Sequence, residues 1–293
     1  MFSKHDRGRN FQKVGISALI LGVGKKSLLK QGKQNLRTII SDEKVEAAES
    51  VSGWNFVKIC VIMQDMTHRE NGGSTVGTPK NIIFDVGDVL IEYRWKQMLM
   101  DYGLEEEDAI RVGREMFDDP ERLWSIFDLG TLPQEDVIRQ FQKKHPEDAE
   151  VIAWFISHGE YMHVPRPGVW KLVHQLKEAG YKLYILSNYP EKLFKKHTEY
   201  ADFMADMDGV LVSYMIKKAK PSPEIFAELC QRFGLVPEEC LFFDDREENV
   251  RGAIDFGIPA KRVWSAKGLE EDLHELLVLN KAAANRACHM VKR

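Results

Sequence analysis

Cysteine is scarce in this 293-residue chain. Four occur, Cys60, Cys230, Cys240 and Cys288, and none forms a C-x-x-C pair. No histidine cluster sits at zinc-ligand spacing either, so a structural zinc site and a disulfide framework are excluded and a reducing, cytoplasmic compartment is expected. Long apolar runs are also lacking. The longest near the start, Val14 to Gly24, is too short for a bilayer, which takes about 20 apolar residues, so no membrane partner is expected. Beyond residue 80 basic charge is in short supply: 28 Lys and Arg stand against 38 Asp and Glu, a balance of −10. An acidic surface of that kind excludes nucleic acid as a partner.

What is present is a globular composition, 44% hydrophobic and 29% charged, long enough for one large domain or two ordinary ones. Residues 1–80 reverse the charge balance, with 13 basic and 7 acidic side chains. A seam therefore falls before residue 80, and 67–79 (THRENGGSTVGTP) has the composition of a linker. Residues 1–79 are expected to be a basic, poorly structured extension and linker. The apolar Val14–Gly24 run also fits a signal-peptide core, against which Lys25-Lys26-Ser27 offers no small-x-small cleavage site, or part of an organelle transit peptide. A weak strand pattern at Val57–Met63 is the one sign of structure there.

Asn81-Ile-Ile-Phe84 then reads as a buried strand ending in Asp85. Residues 93–163 carry amphipathic helical patterns at 104–117, 134–144 and 148–158 with no strand signal between them. Alternation follows: helices at 167–179, 191–199, 222–233 and 247–256 interleave with strands at 183–186, 209–213, 240–243 and 261–264. A helix at 269–279 and a tail at 280–293 close the chain. This predicts an α/β fold, a Rossmann-like parallel sheet covered on both faces, with a core of 80–92 and 164–279 and a helical insertion at 93–163, the segment that the resemblance given below implies is a helical cap. Ligands bind such sheets beyond the carboxyl ends of the strands.

Four of those ends carry polar residues: Asp85 with Gly87 and Asp88, Ser187 with Asn188, Lys220 before Pro221, and Asp244-Asp245 with Asn249 one turn on. Singly, each reads as a helix cap or a solvated turn. Converged on one crevice, the carboxylates would repel one another unless a cation sits between them. That combination suits phosphoryl transfer: a hard cation such as Mg²⁺ takes oxygen ligands, a carboxylate can attack phosphorus, and an ammonium neutralises the phosphate.

The runs F-D-V-G-D-V-L (84–90), L-S-N (186–188), K-P-x-P-x-I-F (220–226) and F-F-D-D-x-x-x-N (242–249) resemble, in order, the four motifs of the haloacid dehalogenase superfamily. Within it the chain is similar to the bacterial sugar-phosphate phosphatases of the α-D-glucose-1-phosphate phosphatase group, which have a helical cap after the first strand. The resemblance covers about residues 80–265. It implies a Mg²⁺-dependent phosphatase of small phosphorylated metabolites, sugar phosphates foremost, working through an aspartyl-phosphate. Asp85 would be nucleophile and metal ligand, Gly87 a metal ligand through its carbonyl, and Asp245 the second metal carboxylate. Asp244 and Asn249 would support it. Ser187 and Asn188 would hold the phosphate, and Lys220 would neutralise Asp85 and the substrate.

Where most phosphatases of the superfamily carry an acid/base aspartate, this chain has Gly87. A leaving alkoxide needs a proton, so the glycine favours better leaving groups, such as the anomeric oxygen of a sugar 1-phosphate, unless Asp88 supplies the acid. Two other readings stay open: a catalytically silent binding protein, for which Gly87 speaks, and a 2-haloacid dehalogenase, against which the Asp244-Asp245 pair speaks. Arg94, Trp95, Trp124, Tyr161 and His163 are candidates for the cap's face toward the crevice. The sequence leaves the oligomeric state open.

Overall fold

Strand β1 (Asn81–Phe84) has no charged side chain and is buried along its whole length. It forms the middle of a sheet whose two faces are both covered, which requires an apolar run rather than an alternating one. The computed structural model describes residues 79–291, so the expectations for the extension and for Val57–Met63 lie outside the described residues.

After β1 the chain turns into β2 (Ile91–Tyr93) and five helices: α1 (Trp95–Tyr102), α2 (Glu106–Phe117), α3 (Leu123–Asp128), α4 (Gln134–Lys144) and α5 (Ala149–Ser157). It returns through β3 (His163–Pro165), antiparallel to β2 with Tyr93 opposite His163. The alternating part comprises α6 (Pro167–Glu178), β4 (Lys182–Ser187), α7 (Glu191–Thr198), β5 (Gly209–Val212), the short α8 (Ser213–Ile216), α9 (Pro223–Phe233), β6 (Cys240–Asp244), α10 (Glu247–Phe256), β7 (Ala260–Arg262) and α11 (Ala266–Val291).

The main sheet has five parallel strands in the order β5-β4-β1-β6-β7. Successive side chains of a strand point to opposite faces. Ile82 and Phe84 accordingly join a core with Val169, Leu172, Val173 and Leu176 of α6 and Leu269, Leu273 and Leu276 of α11. Ile83 points the other way, into a second core with Ile225, Phe226 and Leu229 of α9 and Ala253 of α10. Helix starts and stops follow the sequence: Pro167 and Pro223 sit in first turns, where a missing N–H costs nothing, and Gly234 closes α9 at φ 63°.

Three expectations change. The ribbon of β2 and β3 had no signal, because three residues are too few to show a period. Helices α1 and α3 were not anticipated; α3 has only six residues and is held by packing rather than by its own periodicity. The final helix continues to Val291, through the stretch expected to be a tail, since residues 281–291 contain no Gly or Pro and three consecutive alanines. Among the described residues no helix is long and apolar enough to cross a membrane.

Candidate active site

Strand register creates the site. Phe84 pairs with Ile185 on one side and Phe243 on the other, so Asp85, Ser187 and Asp244 fall within one or two residues of the same level at the carboxyl edge. Asp85 is 8% exposed, Asp244 not at all. One Asp85 oxygen accepts the N–H of Val86 at 2.7 Å and the hydroxyl of Ser187.

Lys220 enters from the loop before α9. Its Nζ lies 2.8 Å from the carbonyl of Leu186, 2.6 Å from Asp244 and 3.0 Å from Asp85, three acceptors for three ammonium hydrogens. Burial alone would lower the Lys220 ammonium, but Asp244 and Asp85 outweigh it and raise it, so the cation is firmly held. Asn188 fixes the loop that delivers it: its amide donates to Lys220 O and accepts from Lys220 N, both at 2.9 Å. Asn188 thus positions Lys220 as well as lining the cavity. Asp244 is further fixed by the N–H of Arg246 at 2.9 Å and by the Asn249 amide at 3.0 and 3.2 Å.

Asp245 is not tied down in this way. Burial pushes its carboxyl up to about 7, reinforced by the charges of Asp85, Asp244 and Asp88. Asp85 is pushed up to about 6, by burial first, with Lys220 opposing and Asp244 reinforcing. Carboxylate oxygens of Asp85, Asp244 and Asp245 lie within 4.8 Å of one another. Nearby, the N–H groups of Leu90 and Ile91 both go to Val86 O, leaving the Gly87 carbonyl outside that turn's bonds. An all-oxygen donor set of crowded carboxylates fits a hard divalent cation. Asp85, Asp245 and the Gly87 carbonyl are the groups that would hold it.

Gly87 is required by its neighbour. A Cβ there would lie 2.6 Å from both Cζ and Oη of Tyr93, so the β2 tyrosine occupies the space that any side chain at 87 would take. Asp88, at φ 51°, accepts the N–H of Tyr93 at 2.9 Å. Its carbonyl accepts from Arg166 at 2.6 Å. Its carboxylate is therefore engaged in shaping the loop.

Above the strand ends lies a cavity of about 630 Å³ whose far wall is the cap: Trp95, Arg114, Phe117, Arg122, Trp124 and Asp128. Phe117 meets Trp95 and Trp124 edge-on at 5.6 and 4.6 Å between ring centres. Of the cap residues expected to face the crevice, Trp95 and Trp124 do. Arg94 pairs with Asp101 outside, Tyr161 is 61% exposed, and His163 belongs to β3. Tyr93, Arg114, Arg122, Asp128 and Tyr189 were missed. Tyr189 at least adjoins a motif, two residues after Ser187, whereas the others carry no local signal. Tyr189 shares a proton at 2.7 Å with His197 Nδ1, whose other nitrogen meets Gly159 O at 2.8 Å. Burial pushes His197 down to about 4, so it is neutral, donates to Gly159, and accepts from Tyr189.

Comparison with known proteins matches residues 79–257 to the description "haloacid dehalogenase-like hydrolase". Flavin mononucleotide hydrolase 1 of Arabidopsis thaliana is 24% identical over 197 residues, covering 67% of this chain and 76% of that one. A phosphorylated carbohydrates phosphatase of Thermotoga maritima is 23% identical over 184 residues, 60% of this chain and 81% of its own. Among solved structures, an enzyme of Bacteroides thetaiotaomicron in complex with magnesium and inorganic phosphate superposes with a TM-score of 0.50 at 24% identity, covering 64% of this chain and 98% of that one. That likeness concerns the fold.

Proposed function

Because the chain belongs to the haloacid dehalogenase-like hydrolases, we propose that it is a Mg²⁺-dependent phosphatase of small phosphorylated metabolites, sugar phosphates foremost, acting through an aspartyl-phosphate in a reducing, cytoplasmic compartment. One observation carries the reading: a buried carboxylate, Asp85, stands at the carboxyl end of the central strand, 3.0 Å from a buried ammonium and within 4.8 Å of two further carboxylates, Asp244 and Asp245. The phosphatase and hydrolase relatives support it.

In this reading Asp85 attacks phosphorus in line with the departing oxygen. Lys220 keeps Asp85 ionised and draws the phosphate oxygens toward it, while Ser187 orients the attacking carboxylate and offers its hydroxyl to the phosphate. Asp244, held by Lys220, Asn249 and the N–H of Arg246, fixes the ammonium. A bound Mg²⁺, held by Asp85, Asp245 and the Gly87 carbonyl, would supply charge neutralisation at the phosphate. Closure of the aromatic cap wall excludes water from the first step and selects the substrate.

The test is hydrolysis of p-nitrophenyl phosphate with and without Mg²⁺ by the full chain and by Asp85→Asn. The reading requires Mg²⁺-dependent turnover that the substitution abolishes; turnover surviving it refutes the nucleophile. Gly87 favours one second reading, a silent binding protein, and wild-type inactivity on a panel of phosphate esters would select it.

A further inference from the structure

Resting on the phosphatase reading, the structure leaves one chemical requirement to be met. When an Asp85 oxygen bonds to phosphorus, the bond from phosphorus to the alcohol oxygen breaks and its electron pair leaves on that oxygen. An ordinary alkoxide cannot depart at useful rates without a proton. Gly87 has no side chain, and Tyr93 blocks one. Asp88 is engaged with Tyr93 N–H. Asp244 is saturated by Lys220, Asn249 and Arg246 N–H. Asp245 would be committed to a bound cation, and Tyr189 gives its proton to His197.

We propose that Asp128, at the end of cap helix α3, is the general acid and base of this site. It lines the cavity opposite the strand ends together with Asp85, Ser187 and Arg246. Its side chain takes no part in a hydrogen bond or ion pair among the described residues, whereas its backbone carbonyl accepts the hydroxyl of the fully buried Ser213, at the start of α8 on the sheet side. An unengaged carboxyl is thus anchored by its own backbone to the floor of the site. Burial raises its proton affinity well above the usual carboxylate range, with Arg246 opposing and Asp85 reinforcing, which favours the protonated form that a general acid needs.

Atoms balance over the cycle. The Asp128 carboxyl gives its proton to the departing oxygen, releasing the alcohol and leaving Asp128 ionised. Water then attacks the phosphoryl group on Asp85 while Asp128 takes a water proton. The bond between phosphorus and Asp85 breaks, inorganic phosphate leaves, and both carboxyl groups return to their starting states. Because the donor stands on the cap, protonation is available only when α3 is in place over the substrate. The limit to good leaving groups that Gly87 implies then disappears in the wild-type protein and reappears when Asp128 is lost.

The experiment compares two esters in the full-length protein with Mg²⁺: p-nitrophenyl phosphate, whose leaving anion is stable at neutral pH, and a sugar 6-phosphate, whose alkoxide is not. For Asp128→Asn, kcat/KM on the sugar phosphate should fall by about 10²–10⁴, the range of general acid catalysis, but on the nitrophenyl ester by less than about 10-fold. Asp128→Glu should recover part of the sugar-phosphate rate. Equal falls on both esters, no fall on either, or a wild type that hydrolyses only the nitrophenyl ester would each overturn the role of Asp128. A wild type inactive on both esters would instead overturn the phosphatase reading.

Discussion

Lys220 touches Asp85, Asp244 and the Leu186 carbonyl with no exposure of its side chain, so its removal strands two buried carboxylates. Deleting one partner of a buried ion pair costs about 3–5 kcal/mol. Lys220→Met should therefore lower the unfolding free energy measured in urea by that order as well as abolish turnover. Gly87→Asp makes a different point. The added side chain meets the Tyr93 ring, and overpacking of this kind costs about 1–3 kcal/mol; denaturant unfolding should show that loss with no gain in kcat. Pairing Gly87→Asp with Tyr93→Ala removes that clash, so the double variant should lose less stability than the sum of the two single losses. At this scale the sequence discloses residues at or near the carboxyl ends of strands. Asp85, Ser187, Asp244 and Asp245 are legible because a parallel sheet must bring those ends together, and Lys220 and Asn249 because they stand at the starts of the helices that follow. Tyr93, Arg114, Arg122 and Asp128 are not, because they reach the cavity through the packing of an insertion whose arrangement no local pattern encodes.

Among the elements, α3 is joined to the sheet side by one buried hydroxyl. Ser213 Oγ donates to Asp128 O and accepts the N–H of Tyr189 at 2.9 Å, joining the cap helix to the loop after β4. Ser213→Ala leaves both backbone groups without this partner, at about 1–3 kcal/mol. A thermal melt should move down, and hydrolysis of sugar phosphates should fall more than that of p-nitrophenyl phosphate, since the same tie seats Asp128. Long elements were readable in advance. Strands β1, β4, β5, β6 and β7 and helices α6, α7, α9 and α10 fall within a residue or two of the patterns of apolar runs, Pro starts and Gly stops. Helices α1 and α3 and the ribbon of β2 and β3 escaped because eight, six and three residues are too short for a period to show above composition. Their geometry is set by neighbours instead, as when the ring of Trp95 lies where a Cβ at Gly113 would be.

For the molecule as a whole, the strand-end acids make stability depend on pH and on cation together. Asp85, raised to about 6, and Asp245, raised to about 7, bind protons more tightly folded than unfolded. These two acids contribute stability to the cation-free protein that is present below about pH 4 and lost as pH rises through 7, and together they outweigh His197, which, held down at about 4, pulls the opposite way over the same range. A cation that binds only the folded state reverses the loss. Differential scanning calorimetry with EDTA should show Tm falling across that range, and Mg²⁺ should raise Tm more at pH 7.5 than at pH 5; a cation effect independent of pH would contradict the shared site. The residues that build this site all lie in 79–291, so a chain begun at Met66 should keep the activity of the full one. The paired ends of the β2–β3 ribbon bear on modularity. Tyr93 and His163 stand directly opposite, so everything between them leaves and rejoins the sheet-bearing part at one point, and beyond that point the segment is tied back through Asp128 O to Ser213, Gly130 O to Lys217 and Gly159 O to His197. The crossover point is constrained, however. Tyr93 fills the space over Gly87, so an exchange of the insert that cuts before residue 93 breaks a matched pair, whereas one that cuts after it keeps that pair but takes Asp128 away with the helices, and the new insert must bring a proton donor of its own.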